Sequence, residues 1–229
     1  MSYKNIEDNY KLVSENIQRA IQRSGRSSQA MEDCVRVMAV TKTIDTERIK
    51  SAVSCGITLL GESRVQEYLE KKADYPESTE VHFIGGLQSN KVRQIIDKVS
   101  LIQSIDSERL ACETDRQARL NNLVMDVLIQ VNIGGESTKN GVAPNELDFL
   151  IEKITALKGL RLRGLMAIPP MGDSVRYFEK MQKLFEKAKE YTPIDTLSMG
   201  MSGDYEEAVL FGATIVRLGT ALFGNRITR

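Results

Sequence analysis

The sequence predicts a (β/α)8 barrel, and three observations predict it. Eight short apolar runs alternate with amphipathic stretches along nearly the whole chain. The length, 229 residues, suits one α/β barrel domain spanning residues 1–229. The glycines after the first run do not spell G-x-G-x-x-G, which weakens the competing open dinucleotide-binding sheet.

The first element is an extra N-terminal helix. Ile6, Tyr10, Val13, Ile17 and Ile21 recur every three or four residues and share one face. Ser24-Gly25 ends it. The strands are expected at Val35–Val40, Ile57–Leu60, Val81–Ile84, Leu101–Ser104, Met125–Ile133, Leu162–Ala167, Thr196–Met199 and Thr214–Leu218. Helical patterns fill the intervals. Over Asn145–Leu157, Leu147, Leu150, Ile151 and Ile154 share a face, with Pro144 suited to the first turn. Over Asp173–Tyr191, Phe178, Met181, Phe185 and Ala188 do the same. The opposite side, with Glu179, Lys183, Glu186 and Lys187, is a solvated face. Strands alternating with helices imply a parallel sheet with right-handed crossovers.

Composition excludes several functions. The 31 basic and 31 acidic residues cancel, so neither nucleic acid nor an anionic membrane is expected as a partner. No apolar run approaches the roughly 20 residues of a membrane span. The polar start, Met1-Ser2-Tyr3-Lys4-Asn5, lacks the apolar core of a signal peptide, and a cytoplasmic protein is expected. Cys34, Cys55 and Cys112 form no CxxC pair and are expected to be buried free thiols. His82 is the single histidine, which leaves little for a His-based triad or a multi-His metal site.

Barrel chemistry sits at the C-terminal ends of the strands. The first strand runs into Thr41-Lys42-Thr43. Met38, Val40 and Lys42 share a side by alternation, which would put Lys42 at the interior rim. A desolvated lysine there is a nucleophile for aldehydes; a solvated strand-end lysine is the plainer reading. The second and third strands run into Gly61-Glu62-Ser63 and Gly85-Gly86-Leu87. Turn geometry explains these glycines as well as ligand contact does.

The seventh strand runs into Met199-Gly200-Met201-Ser202-Gly203-Asp204, and the eighth into Gly219-Thr220-Ala221. Loops after these two strands are the usual phosphate site of such barrels. Ser202 and Gly203 precede a helix expected over Tyr205–Phe211, and Gly219 and Thr220 offer further donors. Alternatively, Ser202 and Asp204 are simple helix caps. Arg217 is a charge inside an apolar strand. It either faces the pocket or reaches solvent at the rim.

These segments together resemble the pyridoxal phosphate homeostasis protein family. The similarity rests on Val37–Thr43, Gly61–Glu67, His82–Lys91, Arg163–Ile168, Leu197–Ser202 and Val216–Gly224, in order along the chain. It implies a barrel like the N-terminal domain of alanine racemase and pyridoxal 5′-phosphate (PLP) held as a Schiff base on Lys42. By position, Ser202, Gly219 and Thr220 would hold the phosphate and Arg217 would approach the pyridine nitrogen. Ser63, Met199 and Gly203 would complete the pocket. Ser63 departs from the asparagine usual in the family, which is expected to tune affinity.

Family members are regarded as PLP carriers or regulators of vitamin B6 and amino-acid pools, with PLP-dependent apo-enzymes as conceivable recipients. A racemase needs an acid or base on each face of the substrate carbon. Alanine racemase takes its second group from a separate β domain, which is not expected here. His82 and the tyrosines, Tyr205 among them, are the local candidates. A non-catalytic monomer is the expectation. A weak PLP-dependent racemase, or a barrel for another phosphorylated molecule, is the alternative.

Overall fold

The computed structural model describes residues 4–25, 35–136, 138–170 and 172–224. Eight parallel strands close into a barrel in sequence order, β1 to β8. They are β1 (Arg36–Val40), β2 (Leu59–Glu62), β3 (Glu80–Phe83), β4 (Leu101–Ile105), β5 (Met125–Val131), β6 (Leu160–Ala167), β7 (Thr196–Met201) and β8 (Ile215–Leu218). The helices are α1 (Lys4–Arg23), α2 (Thr46–Ser54), α3 (Val65–Lys71), α4 (Val92–Ile95), α5 (Glu108–Leu120), α6 (Leu147–Thr155), α7 (Ser174–Lys189), α8 (Tyr205–Leu210) and α9 (Thr220–Phe223). Every strand expected from the sequence is present.

The boundaries moved for identifiable reasons. Ile57 lies in the turn that closes α2, where its N–H donates to the Ala52 carbonyl. β2 therefore starts later and continues through Gly61 and Glu62, with Gly61 registered against Val40. β5 ends at Val131 because the next N–H, that of Asn132, turns to Val142. β7 runs on to Met201 through Gly200, whose φ is 89°. The Pro144–Glu146 stretch is a 3-10 turn, and the α-helix begins at Leu147.

The chain packs as two compact units. The first comprises residues 1–80 and 199–229 and contains β1 between β2 and β8. In it, α1 buries Ile6, Val13, Ile17 and Ile21 as its periodicity requires, with Tyr10 half-buried. Burying each such aliphatic side chain contributes about 1.5–3 kcal/mol. α1 also bonds to the helices after β7 and β8. Asn16 Nδ2 donates to Tyr205 Oη at 2.7 Å and Glu206 Oε1 at 2.9 Å, and Asn9 Nδ2 donates to the Leu222 carbonyl at 2.9 Å.

The second unit, residues 81–198, holds most of β3, all of β4 to β6 and the first half of β7. Leu101, Leu128 and Met166 form a buried cluster. Beside this apolar packing runs a polar chain. The Ser198 hydroxyl donates to Gln103 Oε1 at 2.7 Å, and Gln103 Nε2 lies 3.0 Å from His82 Nδ1. With its oxygen accepting from Ser198, the amide donates to the ring. The apolar faces of α6 and α7 are buried, as their spacing predicts.

The cysteines correct the sequence reading. Cys55 is half-buried because it caps the C-terminus of α2 instead of entering a strand. Cys112 is exposed on α5, offset from the buried Leu110, Ala111 and Thr114. Cys34 lies outside the described residues. Among the described residues, no helix is long and apolar enough to cross a membrane.

Candidate functional site

Strand alternation sorts the residues at the ends of β1, β2 and β8 into two layers. A Cβ at Gly219 would lie 4.0 Å from the Val40 Cβ, so Gly219 and Val40 face each other. Arg217 is registered against Met38, two residues before Val40, so it belongs to that inward face. Gly61 pairs with Val40, and Lys42 and Ser63 each follow two residues later, past the strand ends. Lys42 and Ser63 are half-buried, and Arg217 is 3% exposed. That burial excludes the solvent-facing reading of Arg217, because its guanidinium does not reach solvent. Of these four predicted site residues, Arg217 lies in β8, while Lys42, Ser63 and Gly219 lie in the segments just past β1, β2 and β8.

Ser202 joins them through hydrogen bonds. Its Oγ accepts from the Gly219 N–H and the Ala221 N–H, each at 3.1 Å. A hydroxyl has two lone pairs and one proton. With both lone pairs engaged, the Ser202 proton is left to donate onward. Ser202 therefore ties the β8 loop to the β7 loop and does not cap α8. Nor does the Asp204 side chain cap α8; its Oδ1 accepts from the Met201 N–H at 2.6 Å and closes the turn that carries Ser202. Gly203 and Thr220 are exposed on these loops. Met199 is fully buried, on the strand face opposite Ser198.

Burial lowers the Arg217 pKa to about 10, against the opposing pull of Asp204. The guanidinium is still charged at neutral pH. Burial pushes the Asp204 carboxyl up, while the Met201 N–H and Arg217 draw it back. A hydroxyl, backbone N–H groups and a buried cation form a donor set suited to an anion. Open space around Gly203 leaves that set accessible from the β7 loop. These residues fit PLP. The phosphate would meet Ser202 and the two loops, the pyridine ring would lie toward Arg217, and the aldehyde would meet the Lys42 amine. Bound PLP supplies an electron sink.

The outward layer was not foreseen. Thr41 and Glu62 are fully buried, and the Thr41 hydroxyl donates to Glu62 Oε1 at 2.5 Å. Tyr75 Oη donates to the same oxygen at 2.5 Å. Glu62 Oε2 has no partner among the described residues. Burial raises the Glu62 pKa, although Thr41, Tyr75 and Lys71 oppose it. The ionised form is thus disfavoured in the fold. Stability is full below the ordinary glutamate value of 4.5 and is lost as pH rises through the elevated pKa. Glu62→Gln keeps an acceptor for both hydroxyls and removes the titration. Thermal melts across pH should show the wild type losing ground to this variant as pH rises above about 4.3. Parallel melting curves would contradict the assignment.

The tyrosines weighed as acid–base groups are engaged elsewhere, Tyr205 with Asn16 on α1 and Tyr75 with Glu62. Among the described residues, no group of three His, Cys, Asp or Glu side chains could hold a metal ion.

Comparison with known proteins supplies the family. Residues 9–226 match the model for the alanine racemase N-terminal domain. The chain is 45% identical to the pyridoxal phosphate homeostasis protein of Aquifex aeolicus, over 93% of this chain and 95% of that protein. Among solved structures, an unknown protein from Bifidobacterium adolescentis superposes with a TM-score of 0.88 at 32% identity, covering 96% of this chain and 95% of the other. PipY of Synechococcus elongatus, solved with PLP bound, superposes with a TM-score of 0.77 at 32% identity, covering 91% of this chain and 100% of PipY. The chain belongs to the alanine racemase N-terminal domain family and, within it, to the pyridoxal phosphate homeostasis proteins.

Proposed function

We propose that this chain works as one PLP-binding barrel domain, holds PLP as a Schiff base on Lys42, and serves intracellular PLP homeostasis as a carrier or regulator. The observation that supports the reading is a buried Arg217 in β8, with Lys42 and Gly219 just past the ends of the paired strands β1 and β8 and Ser202 bridging the loops after β7 and β8. The PLP bound to PipY and the name of the Aquifex aeolicus relative support it. Ser63, Gly203 and Thr220 complete the pocket. Met199 contributes through its buried place in β7.

The reading is of a non-catalytic monomer in the cytoplasm that passes PLP to apo-enzymes. A racemase would need a second acid–base group, and the engagement of Tyr205 by α1 and of Tyr75 by Glu62 supports the absence of one. Titration with PLP, followed by absorbance, tests the binding. One equivalent per chain is expected, with no racemisation of single amino acids by the loaded protein. A protein that ignores PLP would remove the reading. Sustained racemisation, abolished by Lys42→Ala, would replace the carrier with an enzyme.

A further inference from the structure

Lys42 sits in a four-residue turn closed by the Ile44 N–H donating to the Thr41 carbonyl at 3.0 Å. Thr43, the third residue, is left-handed with φ 63°. Turns with this conformation favour glycine at that position, and a β-branched residue there is strained. Strain of this kind persists only where surrounding contacts impose it.

The imposing contacts come from α3. Glu67 Oε1 accepts from the Thr43 N–H at 2.5 Å and from Lys71 Nζ at 2.5 Å. Lys71 Nζ also donates to the Thr41 carbonyl at 3.2 Å, so the pair grips the turn on both sides of Lys42. Glu67 and Lys71 are 18% and 17% exposed, which shields the pair from solvent screening. Arg64 flanks Glu67 at 3.7 Å from the outside. Burial pushes the Glu67 carboxyl up, but Lys71, the Thr43 N–H and Arg64 together hold it below its usual range. The grip is therefore charged at neutral pH.

We propose that Glu67 and Lys71 are positioning residues that lock the Thr41–Ile44 turn in its strained form and so present the Lys42 amine to the PLP aldehyde. The inference rests on the reading of Lys42 as the PLP-bearing residue. A relaxed turn would move Lys42 from its place just past the end of β1.

Two variants and two measurements test it. Glu67→Ala removes the acceptor for the Thr43 N–H. Thr43→Gly in the same chain removes the strain, because glycine takes a positive φ without cost. Amide exchange of the unliganded protein should show the Thr43 N–H protected in the wild type and exposed in Glu67→Ala. PLP affinity should fall about tenfold in Glu67→Ala, equivalent to about 1.4 kcal/mol. It should return to within about threefold of wild type in the double variant. If Glu67→Ala does not fold, Lys71→Met with and without Thr43→Gly is read the same way. Unchanged affinity, or a loss that Thr43→Gly does not restore, would overturn the positioning role. A wild type that takes no PLP at Lys42 refutes the function itself. A wild type that binds PLP beside an unaffected Glu67→Ala refutes only this inference.

Discussion

Gly200→Ala should lower stability by about 3–5 kcal/mol, the sum of a left-handed penalty and an overpacked contact. Gly200 has φ 89°, where an L side chain is strained. A Cβ added there would lie 2.5 Å from the Ala208 Cβ and 3.1 Å from the Tyr205 Cα. Both belong to α8, so the strand and helix would have to separate. The displacement would reach Ser202, two residues on, and the contact that Tyr205 makes with Asn16 of α1. At 2–4 °C per kcal/mol for a chain of this size, the melting temperature should drop by about 10 °C. PLP affinity should fall with it. A melting temperature within about 2 °C of wild type would show that the β7–α8 contact is soft.

Arg217→Met should lower both stability and binding. The guanidinium is almost fully buried, and burial is what lowers its pKa. Removing one partner of a buried charge pair destabilises, because the other is left uncompensated, and Arg217 is what draws the Asp204 carboxyl down. The unliganded variant should therefore melt below the wild-type temperature. Its PLP affinity should fall about ten- to a hundredfold, since a hydrogen bond to a charged group is worth about 1.5–3 kcal/mol. A variant that binds PLP normally would leave Arg217 with a structural role alone.

Much of this was legible in the sequence. The strands are short apolar runs, and α1, α6 and α7 carry their buried faces at i, i+3, i+4 spacing, so a periodic reading finds both. Lys42, Ser202, Arg217 and Gly219 could be singled out as candidates because barrel chemistry is confined to strand ends. The outward layer was not. Gly61 and Glu62 read as a turn, and the partners of Glu62, Thr41 and Tyr75, are distant from it in sequence. Thr43 gives no local sign of its left-handed backbone, because its propensity argues against it. Only tertiary contact with α3 explains it. The spacing of Glu67 and Lys71 did carry a signal, a helical i, i+4 ion pair, but nothing in that spacing says that the pair also grips a turn. The apolar face of α1 was equally plain, and its hydrogen bonds to α8 and α9 equally hidden.

The most direct measurement is mass spectrometry of borohydride-reduced protein after incubation with PLP, with Lys42→Ala as the control. The account predicts one phosphopyridoxyl group per chain, mapped to Lys42 and lost in the control. An adduct spread over surface lysines, or retained when Lys42 is replaced, would contradict it.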